Sequence, residues 1–360
     1  MHRSSIRSAA ALAVLTLPLV TVGSQAMAAP PPIRHVFVIV LENKGFDTAF
    51  GPGSPAPYLS QTLTQQGQLL RQYYAIGHAS LDNYLAMVSG QGPNIATQSD
   101  CVFYTAFRPG LPTSRDGQYL GQGCVYPTRV KTIADQLTAA GLTWKAYMQD
   151  MGTPCRHPAN DTFDTTQRAR VGDQYAARHN PFVYFRSVLD SGECSTSDVD
   201  LAELETDLAS GMPGFAFITP NLCEDGHDGP CVDGRPGGLA QADQFLQTWV
   251  PRILGSPAWS EGSLLVITFD EAGSSDASAC CGEKPGPNTP NPGGTTIGPG
   301  GGRTGAVLIS QYVQPGSLND TPYNHYALLR SIEDVFGLGH LGFAGAADLE
   351  SFGPDVYNGP

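Results

Sequence analysis

Positive charge is scarce in this sequence, and no stretch of it concentrates basic residues. Lysine and arginine together number 20, against 33 aspartate and glutamate residues, which gives a formal net charge of −13. Such a charge repels nucleic-acid backbones and anionic bilayers, so charge-driven binding to nucleic acid is excluded. An anionic ligand would bind only where a metal ion or local backbone dipoles attract it.

Long hydrophobic runs are missing beyond the first 28 residues, so the sequence predicts no transmembrane segment. The apolar stretch Ala9–Val22 follows Arg3 and Arg7 and precedes the small-residue pattern Ala26-Met27-Ala28. This order is typical of a secretory signal peptide, which we expect over residues 1–28. The mature protein is therefore expected to be secreted.

The sequence lacks a Cys-x-x-Cys pair, which weakens the alternative of a cysteine-ligated zinc site. It has 8 cysteines, and an even number in an exported protein predicts disulfides. Their positions favour the pairs Cys101–Cys124 and Cys223–Cys231, and the other pairings stay open. The candidates are Cys101, Cys124, Cys155, Cys194, Cys223, Cys231, Cys280 and Cys281.

Apolar runs alternate with helix-like segments along the chain, and no internal repeat is visible. This pattern predicts an α/β fold with a mostly parallel sheet sandwiched by helices. Hydrophobic residues make up 41% of the chain, which is enough for a sizeable core. We expect a single domain over residues 29–360, with loop insertions at about 91–127, 155–192 and 283–303.

Two of the apolar runs end abruptly in acidic or amide side chains. Glu42 and Asn43 follow the first predicted strand, and Asp270 and Glu271 follow a later one, Ser263–Phe269. Strand ends of a mostly parallel sheet converge at one edge, where α/β folds place their ligands. Oxygen ligands there favour a divalent metal such as Ca²⁺, Mg²⁺ or Mn²⁺. The alternative for each pair is an ordinary helix or turn cap.

A serine marks the start of a predicted helix between these two strands. Ser80 stands near the N-cap of a helix that we expect to reach Val88, with His78 just before it. A helix N-terminus attracts phosphate, and Asn83, one turn further on, could donate its amide to a phosphoryl oxygen. Near a metal, such a serine is a competent nucleophile without a Ser-His-Asp triad. The alternative is that Ser80 only caps the helix.

Two further segments contain candidate site residues. His227, followed by Asp228, lies in an acidic, glycine-containing loop and could protonate a leaving group or bind metal. His325 opens the last predicted helix and is a candidate by position only. The alternative for His227 and Asp228 is that they form an ordinary surface turn. The alternative for His325 is that it only begins the helix.

Five motifs, in this order, resemble the bacterial and fungal phosphoesterase family that contains secreted acid phosphatases and non-specific phospholipases C. The resemblance implies an alkaline-phosphatase-like α/β fold. The motifs span nearly the whole chain after residue 28 and are Leu41–Asp47, His78–Ala86, Asp225–Gly229, Thr268–Glu271 and Asn324–Leu329.

The resemblance also implies roles for individual residues. Ser80 would be both nucleophile and metal ligand, and Asn83 would hold the phosphate with His78 and His227 nearby. The remaining metal ligands would be Glu42, Asn43, Asp270 and Glu271.

The resemblance is strongest to the secreted acid phosphatases, including those that act on phosphoinositides. The phospholipase branch usually has His-Gly-Gly after its Asp-Glu pair, whereas Ala272-Gly273-Ser274 follows here, and Asp82 replaces the proline usual in the acid phosphatases. We therefore expect a secreted, metal-dependent acid phosphatase that hydrolyses phosphomonoesters, including phosphoinositide head groups, through a phosphoserine. A phospholipase C is the alternative, and a non-catalytic extracellular binding protein is a weaker one.

Overall fold

The computed structural model describes residues 29–282 and 285–359. The expected signal peptide over residues 1–28 lies outside the described residues. The strands are β1 His35–Leu41, β2 Gln68–Leu70, β3 Tyr73–Tyr74, β4 Phe103–Tyr104, β5 Arg108–Arg115, β6 Gln118–Gln122, β7 Trp144–Met148, β8 Thr162–Phe163, β9 Asp198–Asp200, β10 Phe215–Thr219, β11 Ser263–Phe269, β12 Ala306–Ser310, β13 Leu318–Asn319 and β14 Tyr323–Asn324. Eight of them form the main sheet, in the order β13-β2-β12-β11-β1-β10-β7-β9.

Helices cover both faces of this sheet. A π-helical turn, Tyr58–Leu63, precedes the second helix. The α-helices are α1 Phe46–Phe50, α2 Thr64–Gln66, α3 Ser80–Ser89, α4 Ile133–Ala139, α5 Arg186–Leu189, α6 Cys194–Ser197, α7 Glu203–Ser210, α8 Gly238–Leu254, α9 Pro257–Ser260 and α10 His325–Phe336. No helix within the described ranges is long and apolar enough to cross a membrane.

Strand β1 lies at the centre of the sheet, parallel to both of its neighbours, β10 and β11. Its alternate residues enter two separate cores: Val36, Val38 and Val40 pack with α3 and α10, and Phe37, Ile39 and Leu41 pack with α8. A strand buried on both faces reads as a continuous apolar run, which is why it could be recognised in the sequence. Because β12 runs antiparallel to β11, the sheet is mostly but not entirely parallel, and the expected α/β class is confirmed.

All eight cysteines are paired, in the disulfides Cys101–Cys124, Cys155–Cys194, Cys223–Cys231 and Cys280–Cys281. Both pairs that we named from the sequence are confirmed. The alternative of a cysteine-ligated zinc site is wrong, because no cysteine in the described ranges is free.

The insertions are more ordered than their composition suggests. Residues 91–127 contain a β-hairpin formed by β5 and β6. The glycine-rich segment near residue 300 is held against the loop before α3: His78 N donates to Pro292 O at 2.9 Å, and Gly301 N donates to Ala75 O at 3.1 Å. This segment therefore helps to position the start of α3.

Candidate active site

The two acidic strand ends meet at the carboxyl edge of β1 and β11. Asp270 N donates to Leu41 O at 2.8 Å, so the ladder of hydrogen bonds continues past the last paired residues. Asn43 then turns back toward β11: its backbone N donates to Asp270 Oδ1 at 2.9 Å and its Nδ2 donates to Glu271 Oε1 at 2.6 Å. Asn43 has a φ of 47°, in the left-handed region that asparagine tolerates better than most residues. The predicted convergence of these residues is therefore present.

Ser80 lies beside Glu42 at the start of α3. Its Oγ donates to Glu42 Oε2 at 2.7 Å, and Tyr84 OH donates to Glu42 Oε1 at 2.6 Å. Ser80 and Tyr84 are four residues apart, so they project from the same face of the helix. Glu42 is 1% exposed. The helix thus holds one buried carboxylate by both of its oxygens.

Both the oxygen and the nitrogen of the Asn83 side-chain amide form hydrogen bonds. Its Oδ1 accepts from Ile76 N at 2.8 Å and Gly77 N at 3.1 Å, and its Nδ2 donates to Gly77 O, Ala79 O and Glu271 Oε2 at 2.9, 3.2 and 3.3 Å. The side chain therefore holds the loop before α3 in place and contacts the acidic cluster. Its expected contact with a phosphoryl oxygen stays a prediction.

His78 lies at the edge of the same cluster. Its Nε2 donates to Asp276 O at 2.8 Å, and its Nδ1 lies 3.6 Å from Glu271 Oε1. No carboxylate or carbonyl in the described structure hydrogen-bonds that Nδ1. The ring is thus oriented by the loop after β11, with one nitrogen directed toward the site.

His325 holds the strand end that carries Asp270. Its Nε2 donates to Asp270 O at 2.6 Å, and its Nδ1 lies 3.0 Å from Tyr73 OH. Burial lowers the pKa of His325 to about 4, so the ring is neutral at neutral pH. The structure therefore places this residue behind Asp270.

The loop after β10 closes another side of the site. Asp225 O accepts from Glu42 N at 2.8 Å, and Asp225 Oδ1 accepts from His227 N at 2.8 Å. His227 is half-exposed, with its Nδ1 at 3.3 Å from Asp228 Oδ1, and that carboxylate raises the pKa of His227. His227 and Asp228 thus lie at the rim, and Asp225 lies inside.

Sequence reasoning missed several residues that contact this cluster. His179 stacks on the Tyr84 ring with centroids 5.4 Å apart, and its Nε2 lies 3.4 Å from Glu42 Oε2. Burial and the adjacent Arg178 lower the pKa of His179. Asp225 was part of a recognised motif but was not selected. Arg178 and His179 lie in an irregular segment with no periodic pattern, so only the tertiary fold brings them to Glu42.

Burial and mutual repulsion dominate the electrostatics of the cluster. Burial raises the pKa of Glu42, Asp225, Asp270 and Glu271, and in each case another carboxylate of the cluster raises it further. Lys44 is half-buried nearby, and burial lowers its pKa while the carboxylates oppose that shift. The cluster therefore gathers carboxyl groups whose charged forms are disfavoured unless a cation lies nearby.

Several oxygens in the cluster have no hydrogen-bond partner among the described residues. They are Asp270 Oδ2, Asp225 Oδ2 and Asn43 Oδ1. Buried oxygens without partners are rare in folded proteins, and a bound cation is one explanation for them. Carboxylate, amide and hydroxyl oxygens are the ligands of hard divalent cations, so this donor set fits such an ion.

A family model for the phosphoesterase family matches residues 54–339. The chain belongs to the phosphoesterase family. That match covers four of the five motifs completely, and the first motif precedes it.

Among curated proteins, the chain is similar to an acid phosphatase of Aspergillus fumigatus, with 25% identity over 86% of this chain and 56% of that protein. A probable acid phosphatase of Kluyveromyces lactis is 25% identical over 86% of this chain and 59% of that protein. A phosphatidylinositol-3-phosphatase of Mycobacterium tuberculosis is 26% identical over 89% of this chain and 82% of that protein. The chain thus spans less than two thirds of the length of these fungal relatives.

Among solved structures, a sulfatase from Pseudoalteromonas sp. matches with a TM-score of 0.50 and 11% identity, over 89% of this chain and 73% of that one. A putative sulfatase from Bacteroides thetaiotaomicron matches with a TM-score of 0.50 and 11% identity, over 91% of this chain and 75% of that one. At this identity the likeness shows the fold alone.

Proposed function

We propose that this chain is a secreted, metal-dependent phosphomonoesterase of the acid phosphatase type, with Ser80 as its nucleophile. The observation that carries the proposal is the hydrogen bond from Ser80 Oγ to Glu42 Oε2, at 2.7 Å, between two converging acidic strand ends. The relatives named as acid phosphatases and as a phosphatidylinositol-3-phosphatase support it. The substrate class is a phosphomonoester, including a phosphoinositide head group.

Glu42, Asn43, Asp270 and Glu271, together with Ser80, would hold the metal. A divalent cation bound there supplies positive charge that offsets the charge of the phosphoryl group. The unpartnered Asp270 Oδ2 and Asn43 Oδ1 supply ligand atoms without breaking an existing hydrogen bond. Oxygen donors favour Ca²⁺, Mg²⁺ or Mn²⁺ over metals that prefer thiolates.

The protein groups account for the remaining steps. Ser80 Oγ attacks phosphorus while its proton moves toward Glu42 Oε2, and the bond from phosphorus to the leaving oxygen breaks. His227 protonates that oxygen, a role for which its raised pKa suits it. Water then attacks the phosphoserine and gives a proton to His227, the bond from phosphorus to Ser80 Oγ breaks, and the proton held at Glu42 returns to that oxygen as phosphate is released.

The four disulfides support export to an oxidising compartment. Removal of a signal peptide over residues 1–28 would leave a single catalytic domain over residues 29–360. The fungal relatives are longer than this chain, so the proposal concerns the region that the chain shares with them.

The proposal is tested by phosphate release from an aryl phosphomonoester and from an aryl phosphodiester, each with and without a chelator. We expect the monoester to be cleaved much faster, the chelator to stop cleavage, and one of Mg²⁺, Mn²⁺ or Ca²⁺ to restore it. A preference for the diester would replace this proposal with the phospholipase alternative. Full activity in the chelated protein would refute metal dependence.

A further inference from the structure

A cavity of about 280 Å³ opens beside the acidic strand ends. Its wall includes Asn43 and Lys44 after β1, Ala272 and Gly273 after β11, and Arg303. Because Asn43 and the residue before Ala272 belong to the candidate metal site, a group bound in this cavity would adjoin the phosphoryl group at Ser80. We refer to the cavity as the Lys44–Arg303 pocket.

Lys44 contributes a positive charge to the pocket and forms no ion pair among the described residues. It is half-buried, and three carboxylates of the acidic cluster, together with Asp228 at the rim, attract it. Among the described residues it nevertheless forms no hydrogen bond and no ion pair. An ammonium group that is partly removed from water and lacks a direct partner is available to an anionic ligand.

Arg303 contributes the second positive charge. Its guanidinium carbon lies 4.6 Å from the centroid of the Phe46 ring, and its NH2 lies 3.0 Å from Asp47 Oδ1. The Asp47 side chain is 88% exposed, and an ion pair that exposed contributes little to stability in water. A phosphate, which accepts charge-assisted hydrogen bonds from arginine, would displace Asp47 readily.

The other acidic residue of the pocket is fully engaged. Asp276 Oδ1 accepts from Ser278 N at 3.0 Å and from Ser278 Oγ at 2.6 Å. Its Oδ2 accepts from Arg303 N at 3.0 Å. Asp276 therefore holds the loop together, and the two cations remain the groups that an anion would meet.

We infer that the Lys44–Arg303 pocket binds a second anionic group of the substrate, so that phosphomonoesters of polyols carrying a further phosphate are preferred. This inference rests on the proposed function. A small aryl ester would leave the pocket unfilled, whereas a phosphoinositide head group has both a monoester and a phosphodiester on one ring. The hydroxyls of Thr48 and Ser275, also on the wall, would face the polyol.

The test compares two substrates that differ only in a glycerophosphoryl group, whose phosphodiester supplies the second negative charge: inositol 3-phosphate and glycerophosphoinositol 3-phosphate. The wild-type ratio of their kcat/KM values is expected to be about tenfold in favour of the latter, mainly through KM, because a charge-assisted hydrogen bond has that order of effect. In Lys44→Met and in Arg303→Gln the ratio should fall toward one. Lys131→Met, which removes an exposed lysine at the start of α4, is the control and should keep the wild-type ratio.

A third variant blocks the pocket without altering its charge. A Cβ added at Gly273 meets no atom within 4 Å, so Gly273→Val should fold and fill the entrance. It should lower kcat/KM for glycerophosphoinositol 3-phosphate more than for inositol 3-phosphate. Equal losses for both substrates in all three variants, or a wild-type ratio of one, would overturn the inference.

Binding measurements separate this inference from the proposed function. In Ser80→Ala, calorimetric titration should show tighter binding of glycerophosphoinositol 3-phosphate than of inositol 3-phosphate, and Lys44→Met added to that variant should remove the difference. If the wild-type protein releases no phosphate from any monoester, the proposed function fails, while the binding difference still tests the pocket. Equal affinities in Ser80→Ala would refute the pocket directly.

Discussion

Asp243 in α8 and Asp270 after β11 are both buried aspartates, but their surroundings differ. Asp243 Oδ1 accepts from Leu59 N at 2.8 Å, and its Oδ2 accepts from Tyr58 N and Gln247 Nε2 at 3.1 and 3.0 Å. Asp270 Oδ1 accepts two backbone N–H groups, whereas its Oδ2 has no partner in the described structure. Burial and the adjacent Glu271 raise the pKa of Asp270.

This difference separates a carboxylate that stabilises the fold from one that, under the proposed function, binds metal. At Asp243 the hydrogen bonds offset the loss of hydration and anchor the start of the π-helical turn. At Asp270 an unsatisfied buried oxygen destabilises the free protein by about 1–3 kcal/mol. Strongly perturbed acids of the second kind gather at functional sites.

The largest effect is expected for the nucleophile. Ser80→Ala should lower phosphomonoester turnover by roughly a thousandfold or more, because the covalent step is lost. Ser89→Ala is a matched control at the other end of the same helix, where Ser89 Oγ donates to Leu85 O and accepts from Gln91 N. The two variants should fold alike by circular dichroism. Similar turnover in both would show that Ser80 is not the nucleophile.

The two aspartates themselves provide the next test. Asp270→Asn should lose bound metal, measured by elemental analysis of the purified protein, and should lose activity with it. Asp243→Asn should keep its metal but unfold more easily, by about 1–3 kcal/mol in a urea titration, because an amide cannot accept all three hydrogen bonds equally well. If Asp243→Asn loses metal as Asp270→Asn does, the two sites do not differ as we propose.

A smaller effect is expected from the residue behind Asp270. His325→Leu removes the hydrogen bond to Asp270 O and leaves Tyr73 OH unpaired, so stability should fall by about 1–3 kcal/mol. Metal content should fall less than in Asp270→Asn, because the carboxylate itself remains. Metal loss as complete as in Asp270→Asn, at unchanged stability, would instead make His325 part of the metal site.

The smallest effect concerns a third aspartate. Asn180 Nδ2 donates to both oxygens of Asp198, at 3.0 and 2.8 Å, and burial raises the pKa of Asp198 to about 7. The stability that this group contributes is complete below the unfolded pKa and is lost as the pH rises through about 7. The free energy of unfolding should therefore fall by about 1 kcal/mol between pH 6 and pH 8 through this group.

Asp198→Asn should flatten that dependence, and Asp190→Asn, at an exposed position, should leave it unchanged. Urea titrations at both pH values measure the effect. If the stability of Asp198→Asn depends on pH as that of the wild-type protein does, Asp198 does not titrate in this range.

Local patterns were enough to predict much of the fold. The strand Ser263–Phe269 has the bounds expected from its apolar run, and the helix expected from Ser80 to Val88 ends one residue later. The hairpin of β5 and β6 was missed because Pro109 and Pro112 interrupt its first strand, which is largely exposed and shows no alternation. Where a strand is defined by pairing rather than by burial, the sequence has little periodic signal.

The candidate site was predictable in part for the same reason. Glu42, Asn43, Asp270 and Glu271 each follow a buried strand, so the topology of the sheet brings them together. His179 reaches Glu42 from an irregular segment, and no local rule relates the two. The hydrogen bonds between the Asn83 amide and the loop before α3 also depend on the path of that loop. Secondary-structure propensities do not determine this path.

The central position of β1 and β11 has a consequence for amide hydrogen exchange. Glu42 and Asp270 extend from two neighbouring strands in the interior of the sheet, each hydrogen-bonded on both edges, whose amides should exchange only when the whole molecule unfolds. Gly273 lies outside strands and helices, and Arg303 forms only an isolated bridge with Tyr74, so both lie in segments that we expect to open locally. Deuterium uptake would thus divide the site into a slow half that holds the acidic cluster and a fast half that faces the variable part of a substrate.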